Sequence, residues 1–513
     1  MPLNRRHFLI SLGSVGTLAA CGGGGGTAIP NVSPSPSFGS SQSFANGMLV
    51  LDLTKTDLLR GTDVYLYVVG NISNTWYWYN GSDFLKMVPS DNRYSSTSYP
   101  PSMKSVAIYK DKLMLNYNTK AGWADYSVPL IVGTKSGVDL KKILLIPGLS
   151  TGTSAFSGRI FVSVGPLKLP ITWAPGGPTF PTELEGPGMF CLYDWCEFSI
   201  DSTGTLYLNT TQVNQFGFQL IADVTPRVSP SPVGLLSGTR EGLMTQLSLS
   251  MSNKFGPNTL SVGTGGEYTY ATSVFAMAVP TFAPEGKLYP TGVDHLRAVA
   301  PNGFNTAISG YTPRSAITSY FDNYIRECYA SWQSRPLVTK DQTYGYYSGF
   351  VPTSGSASGM LIFYPGNLTI SQLRSMYDSN NGSWTYKIPV IPTNDVWLCA
   401  NALATGDTEN KNIEKMIAAA FNRGTVSFTM DDSLTTVGGA YGGIVPNPAA
   451  KNPVWNPWAE SWHKFNTDAL AYGFAYDDVN DQSTTVKDLA FLFRSTATIV
   501  LGTFFTSHLR SIT

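Results

Sequence analysis

Charge is scarce in this 513-residue chain. Only 13% of residues are Asp, Glu, Lys or Arg, against about 25% in an ordinary soluble domain. The 34 basic and 34 acidic residues cancel, so nothing recommends a nucleic-acid surface and a polyanionic partner is not expected. Histidine is rarer still, with four scattered copies, and no C-x-x-C pair exists, so a zinc site is not indicated. No internal repeat is evident, and no cofactor is implied. What the chain does have is 12% aromatic residues, 50 glycines and 33 prolines. That profile suits a β-rich extracytoplasmic protein with many turns, one compatible with a neutral polymer as ligand.

Residues 1–20 read as an export signal. Asn4-Arg5-Arg6-His7-Phe8-Leu9 has the twin-arginine form, and an apolar stretch too short to span a bilayer runs from Phe8 to Ala20. Leu18-Ala19-Ala20-Cys21 then matches a bacterial lipobox, which makes Cys21 the acylated N-terminus of the mature protein. Residues 21–45, with Gly22 to Gly26 and a Pro/Ser-rich run, form a flexible tether. The expectation is an exported lipoprotein at the periplasmic face or cell surface, touching membrane through that anchor only. In an oxidising compartment the other four cysteines are free to bridge, with Cys191–Cys196 and Cys328–Cys399 as candidate pairs and buried thiols as the alternative.

The chain is organised around Tyr193 to Leu220. Trp195, Glu197 and Ser199 alternate with Cys196, Phe198 and Ile200, the period of a strand. Asp201-Ser202-Thr203-Gly204 supplies turn chemistry. A second alternating run follows through Leu206, Leu208, Thr210, Gln212 and Asn214. Two strands joined this way present a sheet surface with one carboxylate, Glu197, among aromatic and hydroxyl side chains.

Here the sequence resembles glycoside hydrolase family 64, the laminaripentaose-producing β-1,3-glucanases with a thaumatin-like fold. The family pattern is approximately W-x-x-E-F-T, a turn, then N-[IL]-S-x-V-D-F-x-G-[LF]-P. This chain has Asp194-Trp195-Cys196-Glu197-Phe198-Ser199, then Asn209-Thr210-Thr211-Gln212-Val213-Asn214-Gln215-Phe216-Gly217-Phe218-Gln219. The resemblance implies that Glu197 is the general acid and that the family's basic aspartate is replaced by Asn214. It also nominates Trp195, Ser199, Asn209 and Thr211, with Asp477 and Asp478, as substrate-binding residues, and β-1,3-glucan as the partner.

Further matches fall in family order. Lys142 to Pro147 reads as a strand, and Ser157 to Gly165 resembles G-R-[IV]-x-x-S-x-G. Trp76-Tyr77-Trp78-Tyr79, entering a tight turn at Asn80-Gly81, is a sugar-stacking platform or, more simply, core packing. Helices are expected over Arg240 to Ser252, Phe321 to Trp332 and Ile413 to Asn422, the last stopped by Gly424. Asp395 to Cys399 resembles D-V-F-G-C, and Ala471 to Val479 resembles the C-terminal G-Y-A-F-P-Y-D-D-V motif, with Ala475 in the proline position. Thr498 to Phe505 reads as a closing strand. The fold expected is a thaumatin-like β-sandwich or barrel over residues 46–235 and a mixed α/β domain over 236–470, with a wide cleft between them. Residues 471–513 supply C-terminal strands that pack back on the first domain.

Asn214 is the difficulty. An inverting glycosidase needs a protonated carboxyl and, about 6.5–9.5 Å away, a carboxylate that activates water. A neutral amide is hardly basic. Either Asn214 orients water while another carboxylate (Asp194, Asp201, Asp477 or Asp478) takes the proton, or it works slowly through its imidic tautomer. The third reading is a protein that binds glucan without hydrolysing it.

Overall fold

The computed structural model describes residues 47–93, 123–146, 155–165, 168–181, 191–256, 260–261, 269–270, 276–278, 289–304, 315–341, 343–379, 384–405, 410–431, 441, 447–479 and 483–506. The signal and tether of residues 1–45, Cys21 among them, lie outside the described residues.

The first unit is built on Leu192–Ile200, whose alternating apolar and polar positions let it sit in the middle of a large antiparallel sheet. Across that sheet the order is Thr485–Asp488, Leu206–Thr210, Leu192–Ile200, Phe156–Val164, Asp63–Ile72, Thr75–Tyr79 and Phe84–Lys86, with Val128–Ile131 also pairing Asp63–Ile72. Gly158 is obligatory at the centre, because a Cβ there would lie 2.1 Å from the Val69 carbonyl oxygen. Ile160, Phe198, Ile200 and Leu208 line one face and are fully or almost fully buried. Each such side chain contributes about 1.5–3 kcal/mol relative to exposure.

A second, four-stranded sheet runs in the order Leu220–Thr225, Thr496–Leu501, Met48–Asp52, Lys135–Asp139. Leu49, Leu51, Val224 and Ile499 share the core of the large sheet. Thr496–Leu501 sits inside this sheet, parallel to Met48–Asp52 and antiparallel to Leu220–Thr225. The first and last strands of the described chain are therefore neighbours.

The intervening residues form a mixed unit. A five-stranded sheet, Tyr386–Ile388, Leu361–Pro365, Gly345–Phe350, Leu337–Asp341 and Thr429–Asp431, accompanies the helices Asp322–Ser331, Ile370–Ser379 and Asn410–Arg423. The helix Arg240–Phe255 starts at an N-cap, Thr239, which accepts from Gly242 N, and runs three residues beyond the expected end before Gly256 at φ 75° stops it.

Several local expectations change. Lys142 to Pro147 is not a strand: Leu140–Leu145 is a 3₁₀ helix, because the Asp139 carboxylate accepts Lys141 N at 3.0 Å and caps it; Pro147 lies outside the described residues. Asn80-Gly81 is part of a four-residue loop, in which Asn80 Oδ1 accepts Ser82 N and Asp83 N. The two-residue turn is instead Ser73–Asn74, both at positive φ. Trp76 and Tyr79 of the aromatic run are buried, and Tyr77 and Trp78 half-buried. Cys191, Cys196, Cys328 and Cys399 are all buried thiols. Cys191 and Cys196 have opposite strand parity, so their side chains leave opposite faces and do not meet.

Candidate active site

Glu197 lies in a row that crosses five strands. Antiparallel register places Val69, Arg159, Glu197, Asn209 and Thr485 opposite one another in turn, so their side chains share a face. Arg159 Nη2 is 3.2 Å from Glu197 Oε1. The same guanidinium stands 5.4 Å from the Trp195 ring and 5.8 Å from that of Phe180. Trp195, two residues before Glu197, stacks on Tyr193 at 6.1 Å, and Arg297 approaches the Tyr193 ring at 4.6 Å. An aromatic floor thus carries two cations and one carboxylate.

The face is not an open surface. Glu197 is 8% exposed, Asn209 7% and Trp195 3%. One side of the strand faces the sandwich core, while on the other Phe161, Phe180 and Arg297 close over Tyr193 and Trp195. Within this cover two polar atoms have no protein partner, Asn209 Oδ1 and Trp195 Nε1. Buried polar atoms are nearly always paired, so two orphans beside a carboxylate are where a hydroxyl-bearing ligand gains most. Ser199 lies one pleat further along, half-buried, opposite Ser157 and Tyr207. Thr211 is 2% exposed and its Oγ1 accepts Val213 N at 3.3 Å.

Asn214 is not on the strand that the alternation suggested. Pairing in the large sheet ends at Thr210. Gln212 N then donates to Tyr472 O, and Gln215–Phe216 pairs with His295–Val299 of another sheet. Asn214 sits in this crossing, half-buried, its carbonyl accepting Ala300 N at 2.8 Å and its Oδ1 accepting Asn302 Nδ2 at 3.2 Å. Tertiary pairing overrode the period-two pattern here.

The named carboxylates each have other work. Asp194 points to the core face, where it accepts Trp195 N, Gly217 N and Phe218 N. Burial raises its pKa to about 7, with those donors pulling the other way. Asp201 holds the hairpin turn, accepting Thr203 N, Thr203 Oγ1 and Thr205 N. Asp477 is fully buried and accepts from Arg423 Nη2, His463 Nε2 and Gly473 N, each within 3.0 Å. In this geometry it does not face solvent and is a structural hub, not a sugar contact. Asp478 beside it is half-buried.

Sequence reading passed over Arg159 as a site residue, although it holds an outward phase of its strand. It also did not connect His463 and Arg423 to Asp477. Only the strand register and the long-range packing bring these groups together. Among the described residues no group of His, Cys, Asp and Glu is arranged to hold a metal ion.

Residues 285–491 match the family described as Beta-1,3-glucanase, glycoside hydrolase family 64. A solved laminaripentaose-producing β-1,3-glucanase in complex with laminaritetraose is 18% identical. The likeness spans 90% of this chain and 100% of that one, with a TM-score of 0.60. The fold is that of glycoside hydrolase family 64. A β-1,3-glucanase domain of the family from Clostridium beijerinckii is likewise 18% identical, over 88% of this chain and 98% of that one, at a TM-score of 0.53. No curated protein matches. The family match contains Arg423, His463 and Asp477, whereas Glu197 and Asn214 precede it.

Proposed function

We propose that this chain hydrolyses β-1,3-glucan by inversion, with Glu197 as general acid, and that it works outside the cytoplasm, held to a membrane by a lipid on Cys21. The observation that carries the catalytic reading is the row at Glu197. A carboxylate, a guanidinium and two unpartnered hydrogen-bonding atoms share one aromatic-floored face of a rigid sheet. The laminaritetraose held by a solved relative of the same fold supports a glucan as the ligand.

In the reaction Glu197 delivers a proton to the departing glycosidic oxygen while water attacks the anomeric carbon from the opposite side. In its ion pair with Arg159 Glu197 is a carboxylate, so it must part from the guanidinium and take a proton from solvent before it can give one to the leaving oxygen. The attacking water must lose a proton too. Asn214 Oδ1 accepts hydrogen bonds and orients that water, but as a neutral amide it does not take the proton. Asp194, Asp201 and Asp477 are committed elsewhere, so that proton passes to solvent water, a weak base, and slow turnover is the expectation.

The second reading, glucan binding without hydrolysis, is favoured by Asn214 alone. Product release from laminarin separates the two. If the parent chain releases oligosaccharides and Glu197→Gln abolishes release, the enzyme reading holds. If the parent is inert yet retained on glucan, and Asn214→Asp gains turnover, the binding reading replaces it.

A further inference from the structure

At one end of the four-stranded sheet three segments converge. Gly47 N donates to Ser495 O at 2.7 Å, and Gly47 O accepts Leu140 N at 3.0 Å. Met48 is registered between Asp139 on one side and Thr496 on the other. The point where the chain enters the fold is thereby flanked by the 3₁₀ helix Leu140–Leu145 and the short helix Phe491–Arg494. The stem of Lys141 lies over Gly47, as does the Leu492 carbonyl.

Both flanking segments expose large apolar side chains. Leu145 is 82% exposed, Phe493 67% and Leu489 65%, with Leu144 beside them. Isolated exposed leucines need no explanation. Four large exposed apolar side chains stand on the two segments that flank this chain-entry point, and a cluster of that kind marks a candidate interaction surface. Around them stand Lys141, Lys142 and Arg494, with Asp83 ion-paired to Lys142 at 2.8 Å and the buried Asp488 3.9 Å from Arg494. The charges are mixed, so attraction to an anionic partner is not the main force.

We propose that this patch docks on the lipid bilayer to which the N-terminus is tethered, with Leu144, Leu145, Leu489 and Phe493 entering the interface. This rests on the reading of Cys21 as lipidated. Between Cys21 and Gly47 lie residues 22–46. A Gly/Ser-type chain of that length has an expected reach of about 28 Å. The two segments border the end of that chain, so among the described residues they lie within its reach of the bilayer. At such an effective concentration a weak apolar contact suffices, and a lipid chain plus a second membrane signal is the arrangement that gives stable attachment. Docking this way would fix the orientation of the body relative to the membrane.

The test uses the full chain. Mass analysis of the N-terminal peptide reads whether Cys21 carries acyl chains, and no acylation overturns the anchor reading by itself. On vesicles of phosphatidylethanolamine and phosphatidylglycerol, hydrogen exchange over residues 140–146 and 489–494 is expected to slow severalfold for the lipidated chain. In the Cys21→Ser chain, residual flotation with the same vesicles should fall about tenfold on adding Leu145→Ser and Phe493→Ser. Unchanged exchange in a chain shown to be lipidated overturns the docking proposal. So does a shift from dimer to monomer in those variants without any loss of flotation, which would mark an interface between two copies instead.

Discussion

Two acidic clusters in this protein differ in one respect that separates structure from chemistry. Around Asp477 every carboxylate oxygen is engaged: Arg423, His463 and Gly473 all donate to it, and Ala469 O takes the other ring nitrogen of His463. Around Glu197 the carboxylate has Arg159, yet Asn209 Oδ1 and Trp195 Nε1 are buried without partners. Full pairing of a buried carboxylate rigidifies a fold, even though Arg423 Nε and Tyr441 OH beside it lack partners, whereas an unpaired acceptor and donor next to Glu197 mark where a ligand would gain hydrogen bonds. The hub is the keystone between helix ends of the mixed unit, and the Glu197 row is the candidate for chemistry.

Breaking the hub should have the largest effect. Asp477→Ala leaves a guanidinium and an imidazole uncompensated in the interior, so denaturant unfolding should show a loss of about 3–5 kcal/mol. A loss below about 1 kcal/mol would show that the network is dispensable. In the Glu197 row the contrast inverts. Glu197→Gln keeps an oxygen for Arg159 but removes its counter-charge, so stability should fall less than in Asp477→Ala, while laminarin hydrolysis falls by about a hundredfold or more. Equal losses of stability and activity would erase the distinction between the two clusters.

Gly217 tests the floor of the Glu197 row. It follows Asn214 by three residues, and a Cβ there would sit 2.1 Å from the Tyr193 carbonyl oxygen. Gly217→Ala should therefore cost about 1–3 kcal/mol and disturb the Tyr193–Trp195 floor, visible in near-ultraviolet circular dichroism. The smallest effect concerns pH. Burial disfavours the His463 imidazolium, but Asp477 and the Ala469 carbonyl more than offset this and raise its pKa above the ordinary value. A raised folded pKa means that the stabilisation is full below the unfolded value, about 6.5, and is lost as pH rises through the folded one. Melting temperatures of the parent should thus decline from about pH 6.5 upward, with Arg423, Tyr441 and Glu460 as neighbouring groups. In His463→Gln that part of the decline should vanish.

Much of this was legible in the residues. The alternation about Glu197 located the nine-residue strand Leu192–Ile200, and the spacing of Tyr324, Ile325 and Cys328 located the helix Asp322–Ser331. Both are local signals, set by which face of a repeating backbone meets the core. Lys142 to Leu145 misled because an apolar run does not state its period, and a capping contact from Asp139 decided for a 3₁₀ helix. Asn214 misled because its alternation continued past the point where the sheet did.

The sequence by itself determined the β-rich character, the strand about Glu197 and the three named helices, and through a family resemblance it offered Glu197 as the acid candidate with an amide in place of its partner. The strand and the helices follow from periods of two and 3.6, which need no knowledge of distant residues; the roles of Glu197 and Asn214 come from the family resemblance. Tertiary structure alone decided that Arg159 faces Glu197 and that Asp477 is consumed by Arg423 and His463. Register and long-range pairing assign partners to polar groups, and a partner hundreds of residues away leaves no trace in the local pattern.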